Sequence, residues 1–127
     1  QVQWSYFITS SADNSIQRAT RFAWENRVPL CARVLPAGNE AQTVLPAKSI
    51  FRIIPENLLL VNMKPVKNER AVLLQLREVG GKPATFAVES ETVRFNNPVV
   101  CNVLGIPMDT NNLEFKPWEN KFIKLSW

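Results

Sequence analysis

The stretch that decides the fold is Ala71-Val-Leu-Leu-Gln-Leu-Arg-Glu-Val-Gly-Gly-Lys-Pro-Ala-Thr-Phe-Ala-Val88. Val72, Leu74 and Leu76 fall on one side of an extended chain, Gln75 and Arg77 on the other; beyond Gly80-Gly81 the residues Ala84, Phe86 and Val88 alternate again. Successive side chains of a strand point to opposite faces, so this is the pattern of half-buried strands. A tight hairpin turn needs positive φ values, which glycine supplies cheaply, and the stretch therefore predicts a hairpin about Gly80-Gly81. Pro83 has no N–H to give to a ladder and suits a strand end or a sheet edge.

Working outward, Ser49–Ile54 and Leu58–Met63 are continuous β-rich runs separated by Pro55-Glu-Asn, and Thr92–Phe95, Val99–Leu104 and Lys121–Trp127 read as further strands. Leu30–Leu35 is an apolar run ending at Pro36-Ala-Gly-Asn, and residues 36–48 read as a loop. Near the start Val2, Trp4, Tyr6 and Ile8 alternate with polar residues, which predicts a strand over 2–9. The period then changes: Ile16, Ala19, Phe22 and Ala23 recur at helical spacing, predicting one short helix over 14–25 with Asp13 as its N-cap. The expected fold is all-β, an antiparallel β-sandwich of about eight or nine strands with one short N-terminal helix, residues 1–127 forming one domain.

Composition narrows the chemistry. Of 127 residues 46% are hydrophobic and 20% charged, a globular balance, and prolines (nine) outnumber glycines (four). Histidine is absent, which removes Ser-His-Asp and Cys-His catalysis and nearly all familiar zinc sites. No G-x-G-x-x-G or G-x-x-x-x-G-K-[ST] string is present to cradle phosphates. The net charge is +4, but the basic residues are scattered from Arg18 to Lys124 and most have an acidic neighbour, so no nucleic-acid stripe is expected. No apolar run approaches the ~20 residues of a membrane span. Cys31 and Cys101 each sit in an apolar run and suit either a disulfide or two buried thiols; the compartment stays open between cytoplasmic and periplasmic or secreted.

Three sets of side chains are candidates for function. Glu89 and Glu91 stand two apart, but flank Ser90 at a turn, where solvated carboxylates are ordinary; Asp109 reads as turn chemistry. No residue is assigned a catalytic or metal-ligating role. Among the four tryptophans, Trp4 and Trp127 lie on the apolar phase of their strands and are expected in the core, whereas Trp118 in Lys116-Pro-Trp-Glu119 is a candidate sugar-contacting ring. A carbohydrate platform would need at least two exposed, coplanar rings. Phe51, Leu59, Val61 and Met63 occupy the phase opposite Ile50, Leu58 and Leu60 in runs that are apolar throughout, and are expected to form an inter-domain surface.

Four segments, in order, resemble the C-terminal region of the family 38 glycoside hydrolases, the retaining α-mannosidases. They are Phe22-Ala-Trp-Glu-Asn-Arg-Val-Pro-Leu30, Pro55-Glu-Asn-Leu-Leu-Leu-Val-Asn-Met-Lys64, Ala71-Val-Leu-Leu-Gln-Leu-Arg-Glu-Val-Gly-Gly81 and Phe115-Lys-Pro-Trp-Glu-Asn-Lys-Phe-Ile-Lys-Leu125. Trp118 stands where the family usually has phenylalanine, and Gln75 where it often has arginine. The resemblance implies a non-catalytic terminal β-sandwich that packs on the catalytic and middle domains of a larger enzyme. It also implies that the zinc or similar divalent ion, its Asp and His ligands, the nucleophile and the acid/base belong to earlier regions of that enzyme; none maps onto this chain. The alternative expectation is a stand-alone carbohydrate-binding or adhesion β-sandwich.

Overall fold

The computed structural model describes residues 4–28 and 49–127. The chain divides into two compact units, Gln1–Ser49 and Ile50–Trp127. The first contains helix α1 (Ile16–Arg27), capped by Ser15, whose hydroxyl accepts from the Arg18 N–H at 3.3 Å. The cap therefore lies two residues beyond the expected Asp13. Ser15 is extended and three residues before Arg18, the N-cap geometry, while the Asp13 carboxylate holds Ser15 itself through its N–H (2.8 Å) and hydroxyl (3.0 Å). These bonds, the Ser15 N–H foremost, pull the Asp13 carboxyl below its usual range. The expected strand over 2–9 is not formed in residues 4–9, and Trp4 (75% exposed) and Ile8 (94%) are in solvent rather than in a core. Alternation says which side a residue would face; without a partner strand it fixes nothing. The run Leu30–Leu35, the loop over 36–48 and Cys31 lie outside the described residues.

Ile50–Trp127 contains eight strands, all paired antiparallel: β1 (Arg52–Ile54), β2 (Leu58–Pro65), β3 (Ala71–Glu78), β4 (Ala84–Thr85), β5 (Ala87–Glu89), β6 (Val99–Cys101), β7 (Glu114–Phe115) and β8 (Asn120–Ser126). The main sheet has the order β2-β3-β8-β6; β1-β5 and β4-β7 are separate two-stranded ribbons. The described residues thus form an all-β antiparallel fold with one short helix. Neither ribbon is hydrogen-bonded as a strand to the main sheet or to the other ribbon.

The strong alternation of β3 is explained by its central place. Leu74 and Leu76 are fully buried and lie opposite Ile123 and Lys121 of β8. With Leu58, Ala84, Phe86, Phe115 and Leu125 they make one core, in which each large side chain contributes roughly 1.5–3 kcal/mol. The hairpin expected at Gly80-Gly81 does not exist. Both edges of β3 are already taken, by β2 and β8, so the chain after Gly81 must leave for the ribbons. The real hairpin joins β2 to β3 through residues 66–70, where Asn68 adopts the left-handed φ of 63°. Asparagine tolerates that conformation better than other side chains bearing a Cβ.

The outer face of the main sheet is partly covered by its own loop. Leu73 is buried beneath Gly105, and the Lys64 ammonium holds the Val103 carbonyl at 3.3 Å. Residues 106–108 return along β6, Met108 N–H bonding Val100 O at 2.9 Å, and Asn111 Oδ1 takes the Val100 N–H at 2.7 Å. That edge of the sheet is closed by these bonds.

Candidate functional site

The buried charged group in the described residues is Glu78, at the end of β3. Its carboxylate accepts four N–H donors from three separate segments: Asn57 Nδ2 (2.8 Å), Gly80 N (2.6 Å), Gly81 N (2.9 Å) and Trp118 N (3.0 Å). The Glu78 N–H in turn donates to Glu119 O at 2.9 Å. Burial pushes the Glu78 carboxyl up, but the hydrogen bonds from Trp118, Asn57, Gly80 and Lys82 outweigh it and the net direction is down. An ionised carboxylate with both oxygens occupied is a structural post. A general acid needs the opposite shift.

Gly80-Gly81 therefore acts as an anion cradle, not as a hairpin turn. Gly81 has φ 68°, and a Cβ there would meet Trp118 Cζ2 at 2.9 Å. Trp118 is itself left-handed, φ 64°, in a turn closed by Glu119 N to Lys116 O at 3.1 Å. Pro117 occupies the second turn position, which it favours, and Trp118 the third, where glycine is usual. Left-handed backbone costs a side-chain-bearing residue about 1–2 kcal/mol. The Lys116 N–H also bonds the Glu119 carboxylate at 2.7 Å, so the turn is held on both sides. Glu78 was not among the residues the sequence singled out. The signal was present: a carboxylate ending an apolar strand, one residue short of Gly80-Gly81.

Gly81→Ala should destabilise the chain by about 2–4 kcal/mol, combining left-handed strain with the clash against the indole. In a Trp118→Gly background the clash is gone and the cost should fall to about 1–2 kcal/mol. Chemical denaturation of the four proteins of this cycle measures both.

Beside this corner a groove of about 640 Å³ runs between β4-β7 and the β6–β8 edge. The Lys121 ammonium is half-buried at its wall, donating to the carbonyls of Asn112 (3.0 Å) and Glu114, 3.7 Å from the Glu119 carboxylate and 5.3 Å from the Phe115 ring centre. Among the described residues every buried side-chain nitrogen or oxygen has a hydrogen-bond partner. No three His, Cys, Asp or Glu side chains among them come together as a metal site.

The other candidates are dispersed. Phe51, Leu59, Val61 and Met63 do not share one face. β2 carries a bulge between Leu60 and Asn62, so the extra residue Val61 reverses the phase, and Met63 falls opposite Leu74 on the core side, half exposed. Leu59 is buried opposite Arg77, and Phe51 packs on the core, edge-on to Phe95 at 5.8 Å. Glu89 and Glu91 are both exposed; Ser90 between them bonds its hydroxyl to Ile50 O and accepts the Val93 N–H. Near Asp109 the local turn bond is made by Asn112, whose Oδ1 accepts the Glu114 N–H at 2.9 Å, while Asn111 reaches across to the Val100 N–H of β6. Trp127, expected in the core, is 41% exposed and lies edge-on to Phe95. Cys101 is a free buried thiol pushed up in pKa by burial.

No family model, no curated protein and no solved structure matches the chain. Among the described residues no helix is long and apolar enough to cross a membrane.

Proposed function

We propose that this chain is a non-catalytic C-terminal domain of an α-mannosidase-like glycoside hydrolase, its role being to pack on the catalytic body. The observation that supports the reading is the convergence at Glu78. Three stretches that resemble the family pattern, Pro55–Lys64, Ala71–Gly81 and Phe115–Leu125, supply Asn57, Glu78 with Gly80 and Gly81, and Trp118. Motifs far apart in sequence are thus joined through one carboxylate, as expected if the pattern preserves a packing unit.

The test is activity in two contexts. The full polypeptide that contains this chain should hydrolyse 4-nitrophenyl α-mannoside and lose that activity when residues 50–127 are deleted, whereas the chain alone should show no turnover. Turnover by the isolated chain, or a full polypeptide inert toward α-mannosides, overturns the proposal.

A further inference from the structure

We infer that the loop after β6, Val103–Met108, is the surface by which this chain docks on a larger body of its own polypeptide, seated in an apolar, uncharged recess there. The inference rests on the proposed packing role, but not on which sugar the parent enzyme cleaves. Val103, Leu104, Ile106 and Met108 are each more than half exposed, Leu104 most of all. They form one patch. The Asn102 N–H bonds Ile106 O at 2.9 Å and the Gly105 N–H bonds Asn102 O at 2.9 Å, so Val103, Leu104 and Ile106 project from a single closed turn. Ile106 and Met108 stand two apart on the returning segment, which is tied to β6 by the Met108 N–H on Val100 O.

The patch is ready to lose its water. Main-chain N–H groups without partners oppose burial. Here Asn102 Oδ1 accepts from Leu104 (2.9 Å) and Ile106 (3.1 Å), Asn102 O from Gly105 and Val100 O from Met108, while Pro107 has no N–H to satisfy. The turn is also fixed before any partner arrives: Gly105 takes the left-handed φ of 84° over Leu73, and the Lys64 ammonium holds Val103 O at 3.3 Å. From Val99 to Met108 no residue is charged, in a chain where 20% are. Interface centres are depleted in charge in this way.

Charge and area decide the occupant. An anionic lipid surface draws on free cations beside an apolar segment. Lys64 is engaged, Lys124 is paired with Glu69 at 3.0 Å, and Asp109 follows the loop with the wrong sign. Four side chains give a patch of the ~300–600 Å² class, short of the ~800 Å² per partner of a stable complex between free chains. It matches one side of an inter-domain contact, ~600–1,500 Å² in all, where covalent linkage supplies the effective concentration.

The two methionines of the chain supply the test. Met63 and Met108 are 50% and 52% exposed, so in the isolated chain hydrogen peroxide should convert both to the sulfoxide at similar rates, read by peptide mass spectrometry. In the full polypeptide that contains this chain Met108 should react several-fold more slowly, and Met63 should not. Leu104→Glu should restore the fast Met108 rate there and leave the urea midpoint of the isolated chain unchanged, since the side chain it replaces faces solvent. An unprotected Met108, a Met63 slowed as much, or protection undiminished in Leu104→Glu overturns the inference. Protection of Met108 in the isolated chain at raised concentration, or by phosphatidylserine vesicles, assigns the loop to a second copy or to lipid and equally overturns it. A full polypeptide inert toward α-mannosides in which Met108 alone is protected refutes the parent's proposed activity and supports the docking surface.

Discussion

Glu78→Gln should lower the unfolding free energy by about 3–5 kcal/mol at neutral pH, the range seen when one partner of a buried, charged hydrogen-bond network is altered. The side chain keeps its shape, so the loss is electrostatic. One carboxylate oxygen becomes an amide NH2 that must face donors: Gly80 and Asn57 on one side, or Gly81 and Trp118 on the other. Either orientation opposes donor to donor and strands buried N–H groups. The same residue sets an acid limb. Its folded pKa lies below the ordinary 4.5, so the folded chain binds fewer protons than the unfolded one while the pH lies between the two values. Its stabilisation is complete above the unfolded pKa and is lost as pH falls through the folded one. Urea midpoints of the natural protein should therefore drop below pH ~4.5, and the Gln variant, already weakened, should show a flatter dependence over the same interval. A variant as stable as the natural chain at pH 7 would show that the carboxylate is not the keystone.

The strands of the main sheet were legible because burial and alternation coincide there. Leu74, Leu76, Ile123 and Leu125 face one core, and their sequence period says so directly. Pairing was less legible. Gly80-Gly81 was a sound hairpin signal locally, but a turn residue cannot report that both edges of its strand are occupied. The bulge at Val61 was invisible for a related reason. A continuous apolar run looks the same whether or not one residue is extra, and the inserted residue moved Met63 to the opposite face from that expected. Trp4, Tyr6 and Ile8 show the converse error, an alternating period that forms no strand in residues 4–9 and leaves all three side chains exposed. The Glu78 corner depends on residues from 57 to 118, and no local window contains all its donors. Only the acceptor and its glycines, with Val79 between them, lie close in sequence.

Phe115→Ala should cost about 3–5 kcal/mol, the usual range for emptying a buried aromatic site. Phe115 belongs to β7, a strand of two residues, and such a strand would ordinarily matter little. Yet the ring is fully buried, packs in the same core as Leu74, Leu76 and Ile123, and lies under the Lys121 ammonium. Its removal leaves a cavity and takes away the ring face beside a cation whose other partners are the Asn112 and Glu114 carbonyls and Glu119. A partial control separates the two contributions. Phe115→Leu retains most of the apolar volume and loses the ring face, and should cost less than half as much as alanine if packing dominates. The size of the alanine effect also decides what the ribbons are. A loss near 4 kcal/mol makes β4-β7 a true second layer on the main sheet. A loss below about 1 kcal/mol, typical of surface positions, would reduce it to a surface flap and leave the core face of β3 and β8 in need of another cover.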